Sequence, residues 1–250
     1  MTIKSITLDQ NKQFKRFVED ASDRALKEIN LDKESLQRLI ERGGEFQSHI
    51  MDGIRRFSAK PPVYDLAGWE RTYEKLYGKK PDFSSLVIPT RPEGFGPMRL
   101  IIVAREIVEW TDNCPLQGTQ DALKKYFPCW QYESNLDETI PTSDRDPKNG
   151  SYAVWVRDVR EADEEFANKS ANDLKAEGHT GITVLERQLL EADYFFEKGE
   201  HLDPENVTMC SGSRDRDGFV PYAVWHDWFF VFWYFSAHRS PDLRSRRVWV

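Results

Sequence analysis

The chain has 250 residues, 39% hydrophobic and 31% charged, with a formal net charge of −7. That is enough apolar material to fold and excludes a disordered chain, while the acidic balance argues against a dedicated duplex-DNA binder that relies on phosphate neutralisation. Three widely spaced cysteines, Cys114, Cys129 and Cys210, write neither a disulfide framework nor a CxxC metal clip. With no apolar leader at Met1–Thr7 and no run near the ~20 apolar residues of a membrane span, the expectation is a soluble, cytoplasmic protein.

Phe14, Phe17, Val18, Ala21 and Ala25 recur at the three-and-four spacing that lines one helix face. Asp32 is placed to cap a second helix with Leu36, Leu39 and Ile40 as its stripe, and Gly43-Gly44 supplies a stop. A third helix is expected from Glu45 to about Phe57. Pro61-Pro62 then breaks the pattern, so 58–66 reads as a linker between a helical region, 1–60, and the remainder, 61–250.

Beyond the linker, Trp69, Tyr73, Leu76 and Tyr77 form a short amphipathic helix ended by Gly78, and strand-like residues begin at Leu86-Val87-Ile88. Met98–Ala104 is a better strand, being short, apolar and bounded by Pro and Gly. A helix is expected around Gly118–Phe127, a loop at Asp144–Gly150, a strand at Tyr152–Arg157 and an acidic helix carrying Glu161, Asp163, Glu164 and Glu165. Ser170 and Thr183 read as N-caps, and Thr183-Val184-Leu185-Glu186 as a capping box. Leu185, Leu189, Ala192 and Phe196 line the buried side of that last helix, and Gly199 closes it.

The strand-forming and aromatic residues gather from Asn206 to Val250: a strand at Val207–Cys210, a hairpin of Val220–His226 with Trp228–Phe235, and a last strand at Leu243–Val250. Trp228–Phe235 is apolar at every position, which predicts a central strand covered on both faces. The fold class expected is α+β, an N-terminal helical region plus a mostly antiparallel sheet covered by helices. Tyr152-Ala153-Val154-Trp155 recurs as Tyr222-Ala223-Val224-Trp225, an echo too short to define a repeat.

The polar run Ser211-Gly212-Ser213-Arg214-Asp215-Arg216-Asp217-Gly218 joins two apolar strands. Glycines let backbone N–H groups turn towards an anion and Arg holds carboxylate or phosphate; the competing reading is a solvated loop whose charges pair among themselves. Arg157-Asp158 with Glu161, Asp163 and Glu164 has the makings of a Mg²⁺ site at a strand end, but acidic residues in a helix's first turn are accounted for by its dipole, with Arg157 as counter-ion. Arg244-Ser245-Arg246-Arg247 beside Trp249 is the one basic stripe, suited to single-stranded nucleic acid or to blunting an edge strand. No phosphate loop, GxGxxG, HExxH or nucleophile elbow occurs, so no cofactor and no metal is expected.

Tyr152–Asp158 with Glu161-Ala162-Asp163, Ser170–Lys175, Gly181-Ile182-Thr183, Asn206-Val207-Thr208 and Cys210–Arg214 resemble a group of bacterial hypothetical proteins. The likeness covers roughly the C-terminal half; it implies a bacterial, cytosolic origin and transfers no catalytic residue. The functional expectation is a non-catalytic binding or interaction protein whose partner is another protein or single-stranded nucleic acid, with candidate binding residues Arg157, Asp158, Ser213, Arg214, Asp215, Arg216, Asp217, Arg244 and Arg246. The alternative is an enzyme acting on a phosphate-containing substrate, metal-dependent or nucleic-acid processing, whose site would bring Arg157 and Asp158 together with the 211–218 loop.

Overall fold

In the computed structural model, residues 7–29, 32–44, 46–47, 50 and 66–250 are described, and the chain divides into two compact units, Met1–Lys60 and Pro61–Val250. The fold is α+β. In the first unit, α1 spans Leu8–Ile29 and α2 spans Lys33–Glu41, with Asp32 capping α2 by accepting from the Ser35 N–H at 2.7 Å. Helix α2 ends at Glu41 with Arg42 as its C-cap, just before the glycine pair as expected, although Gly43 and Gly44 take up helical backbone again and the Phe46 N–H donates to the Arg42 carbonyl. Glycine in a helix costs only about 1 kcal/mol relative to alanine, so helical backbone can resume through the pair. The expected linker at 58–66, except Leu66, which is helical, and most of the expected third helix lie outside the described residues.

In the second unit, α3 (Leu66–Tyr77) buries Trp69, Tyr73 and Leu76 and ends at Gly78, whose positive φ of 68° suits a residue without a Cβ. Strand β1 (Met98–Val103) pairs antiparallel with β4 (Tyr152–Arg157). The free edge of β1 is satisfied by side chains. Trp69 Nε1 donates to the Leu100 carbonyl, Tyr73 Oη donates to that of Ile102 and accepts from the Ala104 N–H. Leu86-Val87-Ile88 is irregular, not a strand. Helices α4 (Glu106–Trp110), α5 (Pro115–Leu123) and α6 (Leu136–Thr139) follow.

The main sheet has five strands in the order β2-β8-β7-β5-β9: β2 (Cys129–Gln131), β5 (Val207–Met209), β7 (Val220–Trp225), β8 (Phe229–Tyr234) and β9 (Leu243–Ser245). It is mixed, since β2/β8 and β5/β9 are parallel and the other two pairings antiparallel. A third, small sheet joins β3 (Thr142–Ser143) to β6 (Ser213–Arg214). Strand β8 is interior, as expected, but neither face is covered along its whole length. Phe229 and Val231 are buried, whereas Trp233 on their face, and Phe230, Phe232 and Tyr234 on the other, are half-exposed. That outer face shields itself, with Trp130 5.6 Å from Phe230 and Tyr222 stacked 4.5 Å from Tyr234.

Two further expectations are corrected. The acidic helix after β4 is a single 3₁₀ turn, Glu164–Phe166. Asp163 is buried and accepts from the Arg247 N–H at 2.6 Å, so it serves a long-range contact instead of a helix dipole. The last strand is also broken into three attachments: β9 on β5, then Arg247 opposite Gly181, then Trp249 opposite Trp155.

Helix α7 (Ala171–Ala176) and helix α8 (Val184–Lys198) both begin with capping boxes, Ser170 with Asp173 and Thr183 with Glu186. Gly199 closes α8 in the left-handed conformation. Leu185, Leu189 and Ala192 are buried as their spacing predicts, but so are Glu186, Arg187, Gln188 and Glu191 on the nominally polar side. Arg187 donates to Glu191 at 2.7 Å and pairs with Asp203 at 2.9 Å. Asp203 also accepts from Thr208 Oγ1 at 2.5 Å and from Arg246 Nη2 at 2.7 Å, while Glu191 meets His201 Nδ1 at 2.8 Å. Buried charges are tolerable only when paired and hydrogen-bonded, and removing one member strands the others. Urea denaturation should show Asp203→Ala lowering stability by about 3–5 kcal/mol, against about 1 kcal/mol for the cap variant Thr183→Ala. Equal losses would contradict the central place of Asp203.

Candidate functional site

The 211–218 run is a built corner, and most of its polar atoms are spent on the fold. Gly212 donates its N–H to the Ile182 carbonyl, and a Cβ on Gly212 would stand 2.7 Å from the Gly181 carbonyl oxygen. A Cβ on Gly181 would in turn collide with Ser211 Oγ. These glycines therefore let two backbone segments touch; their role is close packing, not an N–H cradle. Ser213 is buried, its hydroxyl accepting from the Val184 N–H and sharing a hydrogen bond with Ser143 Oγ. Asp215 is buried too, and its carboxylate closes the turn by accepting from the Asp217 and Phe219 N–H groups at 2.9 and 2.8 Å. Arg216 and Asp217 are exposed, with Arg216 3.7 Å from Glu133 and 4.0 Å from Asp217.

Arg214 is different. Half-buried, it donates from Nη1 to the Ser211 and Ser213 carbonyls at 2.8 and 2.7 Å. Among the described residues no carboxylate lies within 4.0 Å of it. Desolvation pulls its pKa below the usual arginine range, with Asp144 acting in the opposite sense. It lines a cleft of about 260 Å³ together with Thr142, Asp144, Lys175, His179 and Ser211. Lys175 is exposed on α7. His179 Nδ1 lies 2.9 Å from Arg247 Nη2 and its Nε2 3.1 Å from Glu177. The tautomer with its proton on Nε2 satisfies both contacts.

The other expected site residues lie elsewhere. Arg157 is the counter-ion of Glu165, bonded at 2.6 and 2.5 Å, and stands 3.8 Å from Asp163. Asp158 accepts from Arg99, which also holds Asp193 and Glu197. Asp158 lines a second cleft of about 350 Å³ that includes Trp69, Lys75 and Arg99. Neither the Arg214 cleft nor the Asp158 cleft is lined by more than one of Arg157, Asp158, Arg214 and Asp217. Nor do Arg244 and Arg246 make an exposed stripe. Arg246 is 1% exposed and locked on Asp203, and half-buried Arg244 donates to the Ala162 carbonyl. The strand alternation that would have put both on one face ends at Ser245, where the segment leaves β5.

Lys175, His179 and Arg99 were missed by the sequence reading. Each sits singly in an unremarkable context, and only the docking of α7 beside β6 brings Lys175 and His179 to Arg214. Cys210 is buried, its thiol pushed up to about 12 by desolvation, as suits a structural cysteine. Among the described residues no group of three His, Cys, Asp or Glu is arranged to hold a metal ion, and no helix is long and apolar enough to cross a membrane. Comparison with protein-family models, curated proteins and solved structures gave no match, so neither family nor function reaches this chain through a relative.

Helix α7, the wall carrying Lys175, is anchored by Arg239, which grips Asp173 from two nitrogens at 2.7 Å each. Arg239, then Ser170, hold the Asp173 pKa well below the usual carboxylate range. A carboxylate whose folded pKa is depressed stabilises the fold fully above its unfolded pKa of about 3.9, and that contribution is lost as pH falls below it. Thermal unfolding should therefore show Arg239→Ala less stable than wild type at pH 7, with the gap narrowing as pH falls from 5 to 2. A gap independent of pH would exclude this anchor.

Proposed function

We propose that this is a non-catalytic binding protein that takes a small anionic group, phosphate or carboxylate, in the cleft headed by Arg214. The observation that carries the reading is a partly desolvated guanidinium with no carboxylate partner among the described residues. Elsewhere in the second unit Arg99, Arg145, Arg157, Arg187, Arg239 and Arg246 each hold at least one carboxylate, whereas Arg244 meets the Ala162 carbonyl and Arg247 the His179 ring. An arginine left with only carbonyl acceptors retains N–H donors in a fork suited to a bidentate anion. Lys175 adds a second positive charge to the lining and Thr142 a hydroxyl, whereas the Ser211 hydroxyl is spent on Ser245. Asp144 supplies the one opposing charge, which favours a compact anion seated against Arg214 over an extended polyanion.

Catalysis has less support, because the groups that would have to cooperate with Arg214 do not stand beside it. Ser213 is committed to the backbone of α8 and Asp215 to its own turn. A ligand that binds only the folded state raises its stability by RT ln(1 + [L]/Kd), about 2.7 kcal/mol at a hundred times Kd. Titration with inorganic phosphate and with acetate at constant ionic strength should raise the melting temperature of the wild type. Arg214→Ala should abolish the rise, and Arg214→Lys should weaken it by removing the fork while keeping the charge. No rise in the wild type, or an equal rise in Arg214→Ala, would overturn the proposal.

A further inference from the structure

Among the side chains lining the Arg214 cleft, one is of the type that changes charge near neutral pH. Carboxylates, lysine and arginine ordinarily keep their charge between about pH 5.5 and 8, whereas imidazole changes its own in that range. His179 lines the cleft with Arg214, Lys175 and Asp144. It also meets a cation. Arg247 Nη2 lies 2.9 Å from its Nδ1 and 3.4 Å from its Nε2. A guanidinium carries donors only, so this contact suits a neutral ring with its lone pair on Nδ1. Nothing nearby offsets the charge of Arg247. Among the described residues no carboxylate pairs with its guanidinium, which stands over the rings of Phe166 and Trp249 at 5.2 and 5.7 Å with its Nε buried and unpartnered. Asp163 receives only its backbone N–H. Glu177 acts in the opposite sense, 3.1 Å from His179 Nε2, but it is already engaged by Lys169 at 2.5 Å.

We infer that the Arg214 cleft takes up its anion together with a proton, carried on His179. This rests on the anion-binding reading of the cleft. In the empty cleft a protonated ring sets two cations in contact, His179 and Arg247, while Arg214 and Lys175 share the lining and Asp144 is its only acid. An anion seated against Arg214 offsets that repulsion and favours the charged ring. Linkage is reciprocal: the factor by which the anion favours the proton is the factor by which the proton favours the anion. Affinity is therefore lowest where the ring is neutral and rises as pH falls through its titration.

The competing explanation is that the whole chain becomes more positive in mild acid and attracts anions through its general field. The two differ in where the proton goes. A general field draws equally on a histidine outside the cleft, such as His226, exposed between β7 and β8.

The test is calorimetric titration of the full chain with sulfate, which keeps both charges across this pH range, at constant ionic strength. The expected result is a dissociation constant about tenfold lower at pH 5.5 than at pH 8, within the usual span of coupling between two ligands. Binding near neutral pH should also take up protons, read as a dependence of the heat on the ionisation enthalpy of the buffer. His179→Gln, neutral at every pH, should bind with an affinity that no longer changes with pH, while His226→Gln should keep the wild-type slope. Sulfate held through Arg214 with equal affinity at both pH values, or without proton uptake, would overturn the inference and leave the anion-binding reading standing. A wild-type slope in His179→Gln would do the same by placing the proton elsewhere. Sulfate that binds at neither pH, or equally to Arg214→Ala, would overturn both.

Discussion

The carboxylate of Asp203 holds together parts of the second unit that are far apart in sequence. It receives Arg187 from α8, Thr208 from β5 and Arg246 from the segment after β9. Asp203 itself has a left-handed backbone with φ of 56°, a conformation Asp tolerates better than most residues. Its N–H and carbonyl are used as well, towards Arg160 and Trp225. Arg187, fully buried, stands over the ring of Phe229 at 5.3 Å. Charges buried like this hold one geometry strongly because any slip leaves one of them unpaired in a medium that cannot solvate it.

This ionic centre gives the cleft its meaning. Arg187 and Arg246 are deeper than Arg214, yet their charge is matched by carboxylates within 3 Å. Arg214 is shallower and lacks such a match. The difference comes from topology: β6 pairs with the two-residue β3, and α7 brings Lys175 to the cleft while its own acid, Asp173, is engaged by Arg239. Ala171 and Leu174 contribute the apolar part of the cleft's lining.

Local signals were legible in the sequence. The Thr183 capping box, Gly78 and Gly199 at helix ends, and strands β1, β4 and β7 follow from propensity, capping and spacing, each readable within a few residues. The 211–218 run stands out in the sequence, but nothing there separates Arg214, which lines a cleft, from Ser213 and Asp215, which serve the corner. Buried charges misled for a physical reason. Arg187 and Glu191, four apart on a helix, have the spacing of an ordinary solvent-exposed pair, and nothing local shows that Asp203 and His201 will meet them. The same holds for β2/β8 and β5/β9, whose parallel partners lie about a hundred and about thirty-five residues away.

The broken last strand bears on how the chain is made. Trp249 hydrogen-bonds in both directions with Trp155, completing the edge of the β1/β4 sheet, just after the same segment has closed the five-stranded sheet through β9. At roughly 5–20 residues per second, synthesis from Trp155 to Trp249 takes on the order of 5–20 s. During that interval the edge of β4 has no partner, and in its second half, once β5 has been made, the β9-pairing side of β5 and Asp203 also wait for theirs. A nascent chain in this state carries open strand edges of the kind that chaperones shield. Vectorial synthesis therefore leaves a window of vulnerability that refolding of the complete chain does not impose.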